Sequence, residues 1–260
     1  MRISALRLAA AAMFLLAGCG VQELPAPPTT PAATTRAADV ATVDQASTER
    51  YRYDVQYPTL APRDATLAAA MRAYGEQRKR EFLAAAAGAP RPPDTEFTPW
   101  TLTLRFDVRA DTGQFLSVVA TGDAYSGGAH GNPLIASFVL HRASDRVVTM
   151  ADLFTDAEDG ERALGEYARR ELVQRRGANR SLDDAEQRWL RDGTAPRPEN
   201  YAVFAIDGEG ARPARGLVLI FPPYQVAPYA EGTIEVTVPA AVFRERLRPM
   251  YRGAFDNTGQ

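Results

Sequence analysis

Three residue types that carry much of enzyme chemistry are nearly missing from this chain. Cys19 is the only cysteine, Lys79 the only lysine, and His130 and His141 the only histidines. A lone thiol has no partner for an internal disulfide. The separation of the two histidines matches neither an HxH nor an HxxxH ligand pair, which argues against a histidine metal site. A Ser126/His130 dyad on one glycine turn has no orienting carboxylate at a recognisable spacing. These shortages predict a chain that is not an enzyme and holds neither metal nor cofactor. A basic excess is also missing: 30 Lys and Arg stand against 32 Asp and Glu. Nucleic-acid binders present a basic face, so that class of partner is not expected. Arginine takes the place of lysine almost everywhere, which reads as genome composition.

Long apolar runs are scarce too, and the clearest one lies at the N-terminus. Leu8–Leu16 is of signal-peptide length and too short to span a bilayer as a mature helix, with Arg2 and Arg7 giving positive charge ahead of it. It ends Leu16-Ala17-Gly18-Cys19, which looks like a bacterial lipobox. The expectation is a signal peptide over 1–18, cleavage before Cys19, and lipidation of that cysteine. Acyl chains hold a protein on a membrane through about 0.8 kcal/mol per buried CH₂. Gly20 follows, where an Asp would resemble an inner-membrane retention signal, so the outer membrane of a Gram-negative cell, on its periplasmic side, is the expected address. Loss of Arg2 and Arg7 leaves 28 basic against 32 acidic residues, a balance of −4. That is too mild to steer binding.

Residues 19–48 are rich in Pro, Ala and Thr and poor in large apolar side chains. Such a segment cannot bury enough surface to offset ordering, and reads as a disordered tether. The remainder, 49–254, reads as one globular head, or as two lobes near 49–125 and 126–254. Tyr51, Tyr53, Val55 and Tyr57 alternate with polar residues as a half-buried strand does. Asp64 is placed to cap an alanine-rich helix to about Ala87, with Leu67, Met71, Tyr74 and Phe82 on one side. Trp100 to Val108 is the clearest strand, followed by strands over Phe115–Tyr125 and Leu134–His141. A short strand from Val147 into Leu153-Phe154, helices near 158–176 and 182–190, strands over 200–206, 216–221 and 233–238, and a last helix over 240–247 complete the pattern. Grouped strands and helices indicate an α+β fold, mainly antiparallel, with helices packed on one side.

Two loops stand apart. Tyr125-Ser126-Gly127-Gly128-Ala129-His130-Gly131 joins two strands. Glycine costs entropy to order but admits positive φ and close approach, so the cluster reads either as a structural hairpin or as a loop presenting Ser126 and bare peptide groups to a partner. Phe221-Pro222-Pro223-Tyr224-Gln225-Val226-Ala227-Pro228-Tyr229-Ala230-Glu231-Gly232 is stiffened by proline and carries two tyrosines, residues favoured on binding surfaces. It reads either as a cover for the sheet end or as a contact loop.

The glycine motif, then Leu153-Phe154 before a helix, then Pro-Tyr-x-x-Ala-Pro-Tyr-x-x-Gly resembles one bacterial extracytoplasmic family. It is the domain of the lysozyme-binding anti-sigma-V factor, also found as the N-terminal region of a peptidoglycan N-deacetylase. The resemblance covers roughly residues 50–250. It implies a lysozyme-like muramidase as partner, met by Ser126, Gly127, Gly128 and His130 from one loop and Pro222, Tyr224 and Tyr229 from the other. The chain departs from the sensor in its expected lipid anchor, and from the deacetylase in ending near residue 260. The function expected is therefore non-catalytic binding of a muramidase in an inhibitor, immunity or sensor role. The alternative is a peptidoglycan-binding accessory module, and a third class is a cryptic hydrolase. Both loops are expected to follow strands of one antiparallel sheet and to lie side by side.

Overall fold

A computed structural model describes residues 40–89, 99–178 and 180–256. Cys19, the expected signal peptide and most of the expected tether lie outside these residues. Among the described residues nine strands fall into two sheets: β1 (Val40–Ser47), β2 (Tyr51–Pro58), β3 (Trp100–Asp111), β4 (Phe115–Tyr125), β5 (Asn132–His141) and β6 (Arg146–Val148) in the first, β7 (Phe204–Asp207), β8 (Gly216–Phe221) and β9 (Ile234–Pro239) in the second. The helices are α1 (Ala65–Gly88), α2 (Met150–Leu153), α3 (Ala157–Gly177), α4 (Asp184–Gly193), α5 (Ala240–Phe243) and α6 (Pro249–Arg252). The fold is α+β. All strand pairs are antiparallel except β2 with β3, which run parallel because α1 carries the chain back between them.

The alternation of β3 and β4 decides the layers. Leu104 and Phe106 of β3, Leu116, Val118 and Ala120 of β4, and Phe138 and Leu140 of β5 pack with Leu67 and Met71 of α1. Tyr74 of α1 meets Phe106 and Phe138 edge-on at 6.3 and 5.6 Å. The opposite face carries Val119, which packs with Ala205, Val218 and Ile220 of the second sheet. The far face of that sheet holds Leu217, Leu219, Val236 and Val238 against Leu164, Ala168 and Leu172 of α3. Each sheet thus has its helices on one side.

Four expectations change. The tether does not reach residue 48, because 40–47 form β1 on the sheet edge. Thr48 closes its turn onto β2 through the Tyr51 carbonyl, and Lys79 of α1 pairs with Asp44. The lobe boundary does not fall at 125/126: β4 and β5 pair continuously from Phe115↔His141 to Ala124↔Asn132, so the first sheet extends to Val148. The strand expected from Val147 stops at Val148, where a Thr149/Asp152 capping box starts α2. Asp64 does not cap α1 with its side chain; its buried carboxylate accepts from Arg142 at 2.9 and 3.2 Å instead.

Candidate functional site

The glycine motif is the β4–β5 connection. Gly127 and Gly128 have φ of +96° and +103°, a region that L side chains avoid, and open space surrounds both. Conformation, not crowding, demands glycine there. Gly131 differs: a Cβ would stand 2.5 Å from Asp123 Oδ2. Asp123 is itself pinned by the Thr103 hydroxyl, which donates to Oδ1 at 2.7 Å. The Tyr125 hydroxyl donates to the Gly128 carbonyl at 3.3 Å, and His130 Nδ1 lies 3.0 Å from the Gly131 carbonyl, which suits Nδ1–H as donor. Ser126 and His130 are exposed.

The proline loop leaves β8 through a tight turn. The Gln225 N–H donates to the Pro222 carbonyl at 3.1 Å, with Pro223 second and Tyr224 third. Tyr224 has φ of +73°, the sign a type II turn requires at its third position, where glycine is usual. The surroundings hold it. The Gln225 amide donates to the Gly193 and Asn200 carbonyls at 2.9 and 3.0 Å, Val226 and Ala227 are buried, and the Trp189 indole donates to the Tyr224 carbonyl at 2.8 Å. Trp189 stands on α4, which begins with an Asp183/Glu186 capping box. Arg180 and then the Asp183 backbone N–H hold the Glu186 carboxyl down at about 2. Farther along the loop, Arg176 of α3 pairs with Glu231, next to Gly232 with φ of +68°.

The two loops meet. The His130 ring stacks on Tyr229 with centroids 4.2 Å apart and planes 21° from parallel, and the Tyr229 hydroxyl reaches the Gly131 carbonyl at 3.4 Å. Tyr224 lies beside Tyr229, with centroids 5.4 Å apart and planes tilted by 37°. Tyr224 is 55% exposed. The sequence-derived residues Ser126, Gly127, Gly128, His130, Pro222, Tyr224 and Tyr229 thus sit on two touching loops. One expectation is corrected: the loops follow strands of different sheets, β4 in the first and β8 in the second. Sequence reasoning missed Trp189, Gln225 and Gly193. A half-buried indole must find an acceptor, so Trp189 was the available signal. Gly193 supports the loop by closeness, since a Cβ there would lie 2.1 Å from the Gln225 carbonyl oxygen.

Chemically the arrangement offers a row of rings, bare peptide groups and the hydroxyls of Ser126, Tyr224 and Tyr229. Among the described residues no group of three or more His, Cys, Asp or Glu side chains stands together as a metal site.

Residues 45–133 match the family described as Deacetylase PdaC, and residues 151–241 match the Protein of unknown function (DUF3298) family. The chain is 25% identical over 203 residues to the peptidoglycan-N-acetylmuramic acid deacetylase PdaC of Bacillus subtilis (strain 168). That match covers 77% of this chain and 40% of the relative, so the chain spans well under half of the relative's length. Crystal structures of a DUF3298 family protein from Pseudomonas aeruginosa PAO1 (TM-score 0.52, 15% identity, 84% of this chain and 95% of that one) and of a member from Bacteroides fragilis NCTC 9343 (0.54, 16%, 82% and 96%) share the fold.

Proposed function

From a chain that joins a PdaC-type region to a DUF3298 region, we propose a non-catalytic recognition module of the cell envelope that binds a lysozyme-like muramidase. The observation that carries this reading is the His130–Tyr229 stack at 4.2 Å, with Tyr224 beside it. It makes one surface of two loops whose backbones are already fixed. Ordering a side chain on association costs about 0.5–1.5 kcal/mol, and pre-set rings reduce that cost. Clustered tyrosines are frequent centres of protein–protein binding energy. The proposed role is inhibition, immunity or sensing, with the chain lipidated at Cys19 and held at the periplasmic face of the outer membrane.

Peptidoglycan is the second reading, favoured by the deacetylase relative, whose substrate belongs to the cell wall. Aromatic rows also stack on sugars. One experiment separates the two. Full-length protein titrated with a lysozyme-like muramidase should form a stoichiometric complex, while purified sacculi spun down alone should leave the protein in the supernatant. Co-sedimentation with sacculi and no heat with muramidase would transfer the surface to glycan.

A further inference from the structure

A second feature lies beside the β3–β4 turn, at the end of β4 opposite the glycine loop. It is an open groove of about 740 Å³ between β3, the segment before α1, and the β7–β8 connection. Its cause is a gap in strand pairing. On its second edge β3 is paired with β2 only as far as Gln56↔Arg105, after which Pro58 ends β2. At the tip, Gly210 takes up the same edge: its N–H donates to the Asp111 carbonyl at 2.8 Å, its carbonyl accepts from Gly113 at 3.0 Å, and Thr112 and Gly210 form a parallel bridge. Between these two covers, among the described residues, no strand pairs with Asp107–Ala110 on that side. Val108, Arg109 and Ala110 line the groove there, and Val218 and Ala205 of the second sheet lie across from them.

The charges are unevenly satisfied. Arg109 is held bidentate by Glu235 at 2.9 and 2.7 Å. Arg142 holds Asp64 and Asp111, and Arg215 holds Asp207. Arg63 is left over. Its only ion pair among the described residues is a 3.9 Å contact to Asp64, both of whose oxygens already accept from Arg142, and its side chain is 69% exposed. Glu209 is exposed on the opposite wall.

We propose that this groove is a second binding site, for a short extended L-peptide ending in a free carboxylate. Its backbone would add as a strand along Asp107–Ala110, a span that fits three or four residues. Arg63 would take the carboxylate, and Glu209 would favour a basic side chain earlier in the peptide. The site is independent of the aromatic surface and does not rest on the muramidase reading.

The test is affinity selection from a pool of L-tetrapeptides with free C-termini, using the full-length protein. Bound peptides should protect the Val108 amide, which faces the open edge ahead of the bulge at Arg109, from hydrogen exchange. Converting the selected peptides to C-terminal amides, or introducing Arg63→Ala, should weaken binding at least tenfold. Ala211→Trp, an exposed lining position, should block the groove without touching the core, and Met250→Ala, at an exposed position outside both surfaces, should leave peptide affinity unchanged. Retention of no peptide, equal binding of acids and amides, unchanged binding by Arg63→Ala, or protection elsewhere on the chain would each overturn the proposal.

Discussion

Tyr224 holds a backbone conformation that costs a side chain about 1–2 kcal/mol relative to glycine. Glycine would suit the turn better, and on the proposed function the ring is there for what it presents. Tyr224→Gly should therefore raise stability by up to about 1 kcal/mol in thermal unfolding while weakening the partner complex. A variant that loses stability and keeps binding would place the ring in the structural framework instead. Glu161 is a second residue at odds with its surroundings. Its side chain is buried and Oε1 has no hydrogen-bond partner. Burial pushes its carboxyl up from the ordinary value, and Glu199 and Glu158 add to the rise. A carboxyl raised in the folded state does not oppose folding while it is protonated in both states. Its relative advantage is lost as pH climbs from the unfolded pKa through the folded one. Glu161→Gln should therefore stabilise the protein at pH 7 by about 1–3 kcal/mol. The gain should vanish below about pH 4, where glutamate is neutral in the unfolded chain too. Unfolding curves at the two pH values decide it.

At the scale of elements, the joint between the sheets rests on two serines. β7 is an edge strand, and an edge leaves N–H groups open. Ser137 Oγ accepts from the Phe204 N–H at 3.0 Å and Ser117 Oγ from the Ile206 N–H at 3.1 Å, so the first sheet caps the second. Ser117 is fully buried. Ser117→Ala leaves a buried donor unpaired and should cost about 1–3 kcal/mol in denaturant unfolding. A cost near zero would mean that water replaces the hydroxyl. This joint also marks where the sequence stops being readable. The two-residue period of β3 and the apolar side of α1 were plain, because burial on one face imposes them locally. That Phe221 ends a strand of a separate sheet was not, since β8 and β4 carry similar apolar runs and sheet membership depends on pairing between distant residues. Asp64 had the position of a cap but not the bond, because the half-buried Arg142 after β5 takes its carboxylate in place of a helix N–H. The touching loops were legible as motifs. The α4 scaffold beneath them was not, as Trp189, Gly193 and Gln225 act through backbone carbonyls that leave no sequence spacing.

For the whole molecule, the proposed anchor and the recognition surface are separate claims. Cys19→Ser should release the protein from membranes and abolish lipid labelling; a variant that still fractionates with the outer membrane would contradict the anchor alone. The central claim is that loops from two sheets form one partner-binding surface. Calorimetric titration of a lysozyme-like muramidase into wild type, Tyr224→Ala and Ser126→Arg tests it most directly. The account predicts that Tyr224→Ala weakens binding by about 2 kcal/mol or more and that Ser126→Arg, on the other loop, blocks it, with unfolding temperatures not lowered in either. Wild-type affinity in both variants, or loss from one loop and indifference from the other, would contradict it.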